Sequence, residues 1–347
     1  MLAQTARPNA RIGKRSPVLM ASELDWNRDY SQFSIWKALD CSDAELAAID
    51  PLALNLVVAR RIQSLSTIDI CYYQRIVNDL AIDFRDRCLP EWEPFFFQNP
   101  DDFHNDLDFF RFGMLAQYLD TVAGVKYRSD QRHVTEFEYV NPSDLFLNGI
   151  LDTMEGTCGN MSALNVAIAW RLRWPVSLAC IGSHFVSRFD DGNRVYNLET
   201  TDTGRGGWSA PGDARLIERD SISLSAIECG SDLRALTHRE MPGCFVGLRA
   251  RHFFDLGYSH NDDQKVLESE QDWLLARSLF PSHRVTYRNQ MAVTALRGAE
   301  CFSSSEIGHP ISFANYLTTT FHENKRVREA IRDTTSCDSF FKQLGDT

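Results

Sequence analysis

The three residue types that thiol-based acyl transfer requires occur in one short stretch of this chain. Cys158 stands in Gly156-Thr157-Cys158-Gly159-Asn160, His184 follows in Gly182-Ser183-His184-Phe185, and Glu199 closes Val195-Tyr196-Asn197-Leu198-Glu199. In such chemistry a thiolate attacks a carbonyl, an imidazole moves the proton, and a carboxylate holds the imidazole in one orientation. Taken singly these residues say little, because cysteine is among the most buried residue types and a lone histidine is usually structural. Their order and spacing make the combination a candidate site.

The elements that must position them can be read from periodicity. After the cysteine, Met161, Leu164, Ala167, Ile168 and Leu172 recur at helical spacing until Pro175 ends the pattern. Cys158 therefore belongs at or just before the first turn of a buried helix, where unpaired N–H groups and the helix dipole favour a thiolate. Residues 176–181, 184–189 and 194–198 read as strands, with Asp190-Asp191-Gly192-Asn193 as the hairpin turn. If Asp191-Gly192 is a two-residue loop, paired residue numbers sum to 383 and His184 lies directly opposite Glu199. Cβ atoms in such a pair are about 4.5–5.5 Å apart, within reach of a carboxylate–imidazole hydrogen bond. The backbone N–H of Cys158 is a candidate oxyanion donor, and the side chains of Asn148 and Asn160 are candidates for substrate contact. Gly204, Gly206 and Gly207 suggest a loop at the rim of the site, with Trp208 covering a substrate channel.

At these residues the chain resembles the transglutaminase-like superfamily of papain-fold cysteine enzymes, and within it the bacterial proteins of the SirB type. The likeness is carried by DLFLNGILDTMEGTCGNMSALNVAIAWRLRWP and GSHFVSRFDDGNRVYNLETTDTG, and more loosely by the helical residues before them, including Leu52-Ala53-Leu54-Asn55-Leu56. The resemblance implies an α+β fold, with a papain-like core of a helix packed on an antiparallel sheet between N- and C-terminal helical layers. It also implies Cys158 as nucleophile, His184 as general base and acid, and Glu199 as the residue that orients His184. Two positions depart from the family pattern: Glu199 stands where aspartate is usual, and Arg173 where a glycine often precedes the Trp-Pro pair. Superfamily members include proteases, amidases, acyltransferases and proteins without catalysis, so the resemblance bears on fold more than on activity.

Composition bounds the rest. The chain has 347 residues, 44% of them hydrophobic and 11% aromatic, enough for a sizeable core. A formal charge of −11 disfavours nucleic-acid binding. No apolar run approaches the roughly 18 residues of a membrane helix. Nine cysteines, scattered and without a C-x-x-C pair, suggest reduced thiols in a cytoplasm and argue against structural zinc. The weaker alternative of a metal cluster at His252, His260, Asp262 and Asp263 reads better as a solvated loop, so no metal or cofactor is expected.

The expected organisation is a disordered tail (1–22), an N-terminal helical region (23–140), a transglutaminase-like core (141–225), a C-terminal helical region (226–300) and a weakly ordered tail (301–347) with a helix near 325–332. Helical periodicity spans 44–49, 51–65, 68–88, 106–123, 145–152, 241–256, 264–279 and 283–296, whereas 89–100 reads as a connection and 216–224 as an added strand. The expected partners are a peptide, protein or small amide substrate, and a protein partner on the C-terminal helices. Three functions are compatible with this pattern: a thiol hydrolase or acyltransferase, an inactive transglutaminase-like scaffold, and an unrelated small-molecule enzyme.

Overall fold

The computed structural model describes residues 28–131, 139–182, 184–201 and 208–298. The expected tails 1–22 and 301–347, the helix near 325–332, and Gly204, Gly206 and Gly207 lie outside the described residues. The N-terminal helices are α1 (Asp43–Ala47), α2 (Pro51–Ala59), α3 (Ile70–Asp83), α4 (Leu89–Gln98) and α5 (Leu107–Thr121). Two short strands, β1 (Lys126–Tyr127) and β2 (Glu155–Gly156), pair in parallel on either side of α6 (Leu147–Thr153). The central helix α7 (Met161–Arg171) leads into an antiparallel sheet of β3 (Val176–Ile181), β4 (His184–Asp190) and β5 (Val195–Leu198) in that order. Then come α8 (Asp213–Asp220), α9 (Leu224–Glu228) and the layer of α10 (Glu240–His260), α11 (Asp263–Leu279) and α12 (Arg284–Gly298). The architecture is α+β.

Every residue of α2 and of α7 is buried. A helix without a solvated face must be packed on all sides, and one apolar cluster accordingly runs from Tyr30 to Phe280 through both helices, taking residues from α3, α6, β3, β4, α10 and α11. The two helices are tied by an ion pair with no solvent exposure: Arg171 donates to both oxygens of Asp50, at 3.1 and 2.7 Å. Asp50 also N-caps α2 through Leu52 N–H, while Gln74 donates to it and Asn78 accepts from Arg171. A second buried pair, Arg249 with Asp272, binds α10 to α11, and Arg249 also donates to the Val58 carbonyl of α2.

Arg173 explains how α7 stops. It adopts φ 60°, the left-handed conformation usual for glycine after a helix, and the flanking N–H groups return to the helix: Arg173 to Trp170 O and Trp174 to Ala169 O. Arg173 thus takes a conformation usual for glycine with a side chain attached.

Three expectations are corrected. Segment 89–100 contains helix α4, which continues α3 through a π-type turn at Phe84–Cys88 closed by Leu89 N–H on Phe84 O. Pro90 falls in the first turn of α4, where a missing N–H is tolerated. Segment 216–224 is no strand: Leu216 is buried from α8, Ser221 is left-handed, and Ser223 caps α9 by accepting from Ala226 N–H. The Ser-Ile-Ser-Leu alternation that mimics a strand is the junction between two helices.

The third correction is the hairpin register. Asp190 pairs with Val195, Phe189 with Tyr196, and Ser187 with Leu198. Paired numbers therefore sum to 385, because the loop residues are Gly192-Asn193, one step later than Asp191-Gly192. Gly192 takes φ 94°, and Asp191 accepts from the N–H groups of Asn193 and Arg194. The shift is by two, so each side chain keeps its face. On the far strand, Asp106, the N-cap of α5, accepts from Arg194 at 2.8 Å and from the Tyr196 hydroxyl at 2.6 Å.

The Asp50–Arg171 pair should be costly to break, since removing one partner leaves the other charge buried. Arg171→Met is expected to lower the unfolding free energy by about 3–5 kcal/mol in urea denaturation. A loss below about 1 kcal/mol would show that the α2–α7 junction does not depend on it.

Candidate active site

The cysteine loop is held from several sides before α7 begins. Thr157 N–H donates to Asn160 Oδ1 at 2.8 Å, and the Asn160 amide donates to the carbonyls of Ser143 and Phe146. The Thr157 hydroxyl donates to the Asp144 carbonyl and accepts from Gly159 N–H. Gly156 is required here, because a Cβ would lie 2.5 Å from side-chain carbons of both Ile150 and Met161. Met161 N–H bonds to Thr157 O, so the helical hydrogen-bonding pattern starts at the residue before Cys158, although the helix proper starts at Met161. Cys158 thus precedes the first turn by a few residues and is partly exposed.

The first turn of α7 is stitched to β4 by two reciprocal bonds: Ser162 Oγ donates to Phe185 O at 3.0 Å, and Ser187 Oγ to Ser162 O at 3.1 Å. They fall one and three residues after His184, which opens β4, and so fix the start of the strand against the first turn of α7. His184 Nε2 lies 2.7 Å from Glu199 Oε2, and Cys158 is near enough to the ring to help raise its pKa. Since Glu199 takes Nε2, the nitrogen left for the thiol is Nδ1.

Glu199 reaches His184 along a diagonal. Continuing the β4–β5 register puts Val186 opposite Glu199, two residues from His184 on the same face. Diagonal neighbours are about 7–8 Å apart at Cα, so a long side chain is needed to span them. Glu199 also forms a bridge with Ser209 on its other edge.

The carboxylate is fully buried yet well supplied with donors. Its Oε1 accepts from Thr201 N–H at 3.0 Å and the Thr201 hydroxyl at 2.6 Å, and its Oε2 accepts from Arg219 of α8 at 3.1 Å. Burial opposes its ionisation, but the bonds and charge of His184 and the Thr201 donors outweigh that and hold its pKa down at about 2. For His184 burial works against the imidazolium, while the contacts with Cys158 and Glu199 raise the pKa to about 10. The proton therefore rests on the imidazole at neutral pH.

Two further residues near the site carry no sequence signal of their own. Thr201 sits two residues after Glu199, where only an acid-x-Thr local turn hints at its role. Tyr139 lies close enough to Cys158 to feel its charge; burial and that charge push its phenol up to about 12. Its backbone is tied to α10, with N–H donating to Asp255 and O contacting His252 Nδ1 at 2.8 Å, and the Arg251 guanidinium lies 4.9 Å from its ring centroid.

The three proposed substrate contacts fare differently. Asn160 is wholly buried and its polar atoms are engaged in the cysteine loop, so it supports Cys158 instead of meeting a substrate. Asn148 is buried in α6 with an unpartnered Oδ1. Trp208 is on the opposite face from Glu199: its ring packs on Gly113 of α5 and beside Phe112, Phe189 and Leu198. A Cβ on Gly113 would come within 2.4 Å of that ring. Trp208 thus clamps the outer sheet to α5 and does not cover Cys158.

His252 contacts Tyr139 O, His260 contacts the Leu256 carbonyl, and Asp262 caps α11. Among the described residues no group of His, Cys, Asp and Glu has the arrangement of a metal site, and no helix is long and apolar enough to cross a membrane. The seven cysteines among them are free. No family model, curated protein or solved structure matches the chain.

The shifted groups set the sign of a pH effect. His184 has a raised folded pKa, so its contribution to stability is complete below about 6.5 and is lost as pH rises through about 10. Glu199 has a depressed one, so its contribution is complete above about 4.5 and is lost as pH falls towards 2. Chemical denaturation of the wild type and His184→Gln at pH 6.5 and pH 9.5 should show the stability gap between them narrowing at the higher pH. A gap that widens would contradict the charged state of His184.

Proposed function

We propose that the protein is a thiol-dependent acyl-transfer enzyme of the transglutaminase-like, papain-fold kind, acting on an amide or peptide bond. The observation that carries this reading is the single imidazole held by a buried carboxylate at 2.7 Å on one nitrogen, with Cys158 near enough to the ring to help raise its pKa. The order of elements supports it too: a buried helix behind the cysteine, then antiparallel strands bearing the histidine and the acid.

In the proposed reaction the Cys158 sulfur attacks the carbonyl carbon, and the carbonyl electrons move to oxygen. The Cys158 backbone N–H is one donor for that oxyanion. Collapse of the tetrahedral adduct breaks the C–N bond as His184 gives its proton to the departing amine, leaving a thioester on Cys158. Water or a second amine then attacks the thioester, with His184 taking the proton, and the thiolate leaves. Glu199, with Thr201 and Arg219 behind it, keeps the imidazole in one orientation through both proton transfers.

Alkylation tests this without a known substrate. At pH 6–7, where an ordinary thiol is mostly protonated, iodoacetamide should modify Cys158 at least tenfold faster than the other cysteines, read by peptide mass mapping. Glu199→Asp should slow that reaction about as much as Glu199→Gln, because an aspartate in this register is one bond too short to span the diagonal to His184. Leu164→Ala should cost about 2–5 kcal/mol of stability, whereas Cys158→Ala should cost less than about 2. No preference for Cys158, together with a Cys158→Ala loss equal to that of Leu164→Ala, would make the cysteine a core residue and the chain a non-catalytic scaffold.

A further inference from the structure

Among the described cysteines, Cys180 of β3 and Cys244 of α10 meet. Both are buried free thiols, 64 positions apart in the chain, and their sulfurs lie 3.7 Å from each other. Two small apolar groups in contact in a core need no further explanation. The group beside them does. His283, just before α12, is buried, and its ring nitrogen Nε2 has no hydrogen-bond partner among the described residues, while Nδ1 lies 2.7 Å from Thr286 Oγ1. An imidazole nitrogen shut off from water and left unpaired is costly unless it has a task.

Two sets of contacts place this imidazole against the stretch of α10 that holds Cys244. Its ring stacks on Phe280 at 4.8 Å, and a Cβ on Gly243 would lie 3.1 Å from Phe280 Cβ. One turn further along α10, a Cβ on Gly247 would lie 3.8 Å from the Oγ1 of Thr286, the partner of His283. His283 also acts on the other thiol: Cys244 and burial push Cys180 well above its usual range, and His283 pulls the opposite way.

We propose that Cys180 and Cys244 form a peroxide-sensitive dithiol site, which closes to a disulfide with His283 Nε2 as the base.

Cys180 keeps its proton, so the Cys244 sulfur attacks the peroxide O–O bond, giving a sulfenic acid on Cys244 and water. With Nδ1–H donating to Thr286, His283 Nε2 takes the Cys180 proton. The Cys180 sulfur then attacks the Cys244 sulfur, the S–O bond breaks, and hydroxide leaves as water with that proton. Two thiols are oxidised by two electrons and one peroxide is reduced to two waters. Hydrogen peroxide is uncharged and small enough to enter when the core opens locally, whereas iodoacetamide is bulkier, so the resting pair does not compete with Cys158 for alkylation. The bond ties the sheet that carries His184 to the C-terminal helices, because Cys180 is paired directly with Phe185.

The test uses the full-length Cys158→Ala protein, which makes it independent of Cys158. After hydrogen peroxide without denaturant and blocking of the remaining thiols, non-reducing peptide mapping should recover the Cys180 and Cys244 peptides joined, and dithiothreitol should separate them. The oxidised protein should unfold at higher urea than the reduced one, because the bond closes a long loop in the unfolded chain. Closure should be about tenfold slower in His283→Gln, and Thr286→Val, which frees the tautomer, should slow it in the same direction. If both cysteines return as free thiols, are oxidised singly to sulfinic acid, or join only at urea concentrations that unfold the protein, the dithiol site is overturned. Closure at the unchanged rate in both variants overturns His283 as the base.

Discussion

The arrangement rests on a charge pair that water does not reach. Asp50 and Arg171 join the start of one fully buried helix to the end of another, and every remaining polar atom of the pair is met by Leu52, Gln74, Asn78 or the Ala167 carbonyl. Apolar helices packed on all sides have little to fix how far one slides along the other. A buried pair that tolerates no mismatch supplies that axial position. The site inherits it, because α7 carries the cysteine loop at one end and Arg171 at the other, about 16 Å away at 1.5 Å per residue.

The helices were the most legible part of the sequence. Spacing alone places α7 and the three C-terminal helices close to their observed bounds, since a period of 3.6 over eleven or more residues is hard to produce by chance. The 89–100 and 216–224 segments failed for local reasons: Pro90 in the first turn of α4 and Pro94 inside it read as breaks, and serines that serve as a left-handed residue and a cap read as strand alternation. Arg173 shows the opposite case, a left-handed position that composition hides because arginine carries no glycine signal.

At the site, the alignment of the strands was less legible than the helices. Glu199 does reach the His184 ring, but the turn between the strands contains two overlapping hairpin signals, Asp-Gly and Gly-Asn, and local sequence cannot choose between them. Arg219 and Tyr139 were not legible because each acts through tertiary placement alone, and Thr201 left only the faint signal of a local acid-x-Thr turn. Asn160 and Trp208 were misassigned because a polar or aromatic residue near a cysteine looks the same whether it faces a ligand or braces a loop.

The two-residue difference in register has a consequence for how the hairpin finds its alignment. A slip by one residue would exchange Leu198 with the buried polar Asn197 and Glu199 between the faces and be rejected at once, but a slip by two leaves each side chain on its face, so burial is blind to it. What does change is the reach of Arg194 and Tyr196 to Asp106, at the far edge of the sheet. Proofreading of the alignment that brings the acid to the imidazole is thus done by a helix cap on α5, a residue that touches none of the three groups it aligns.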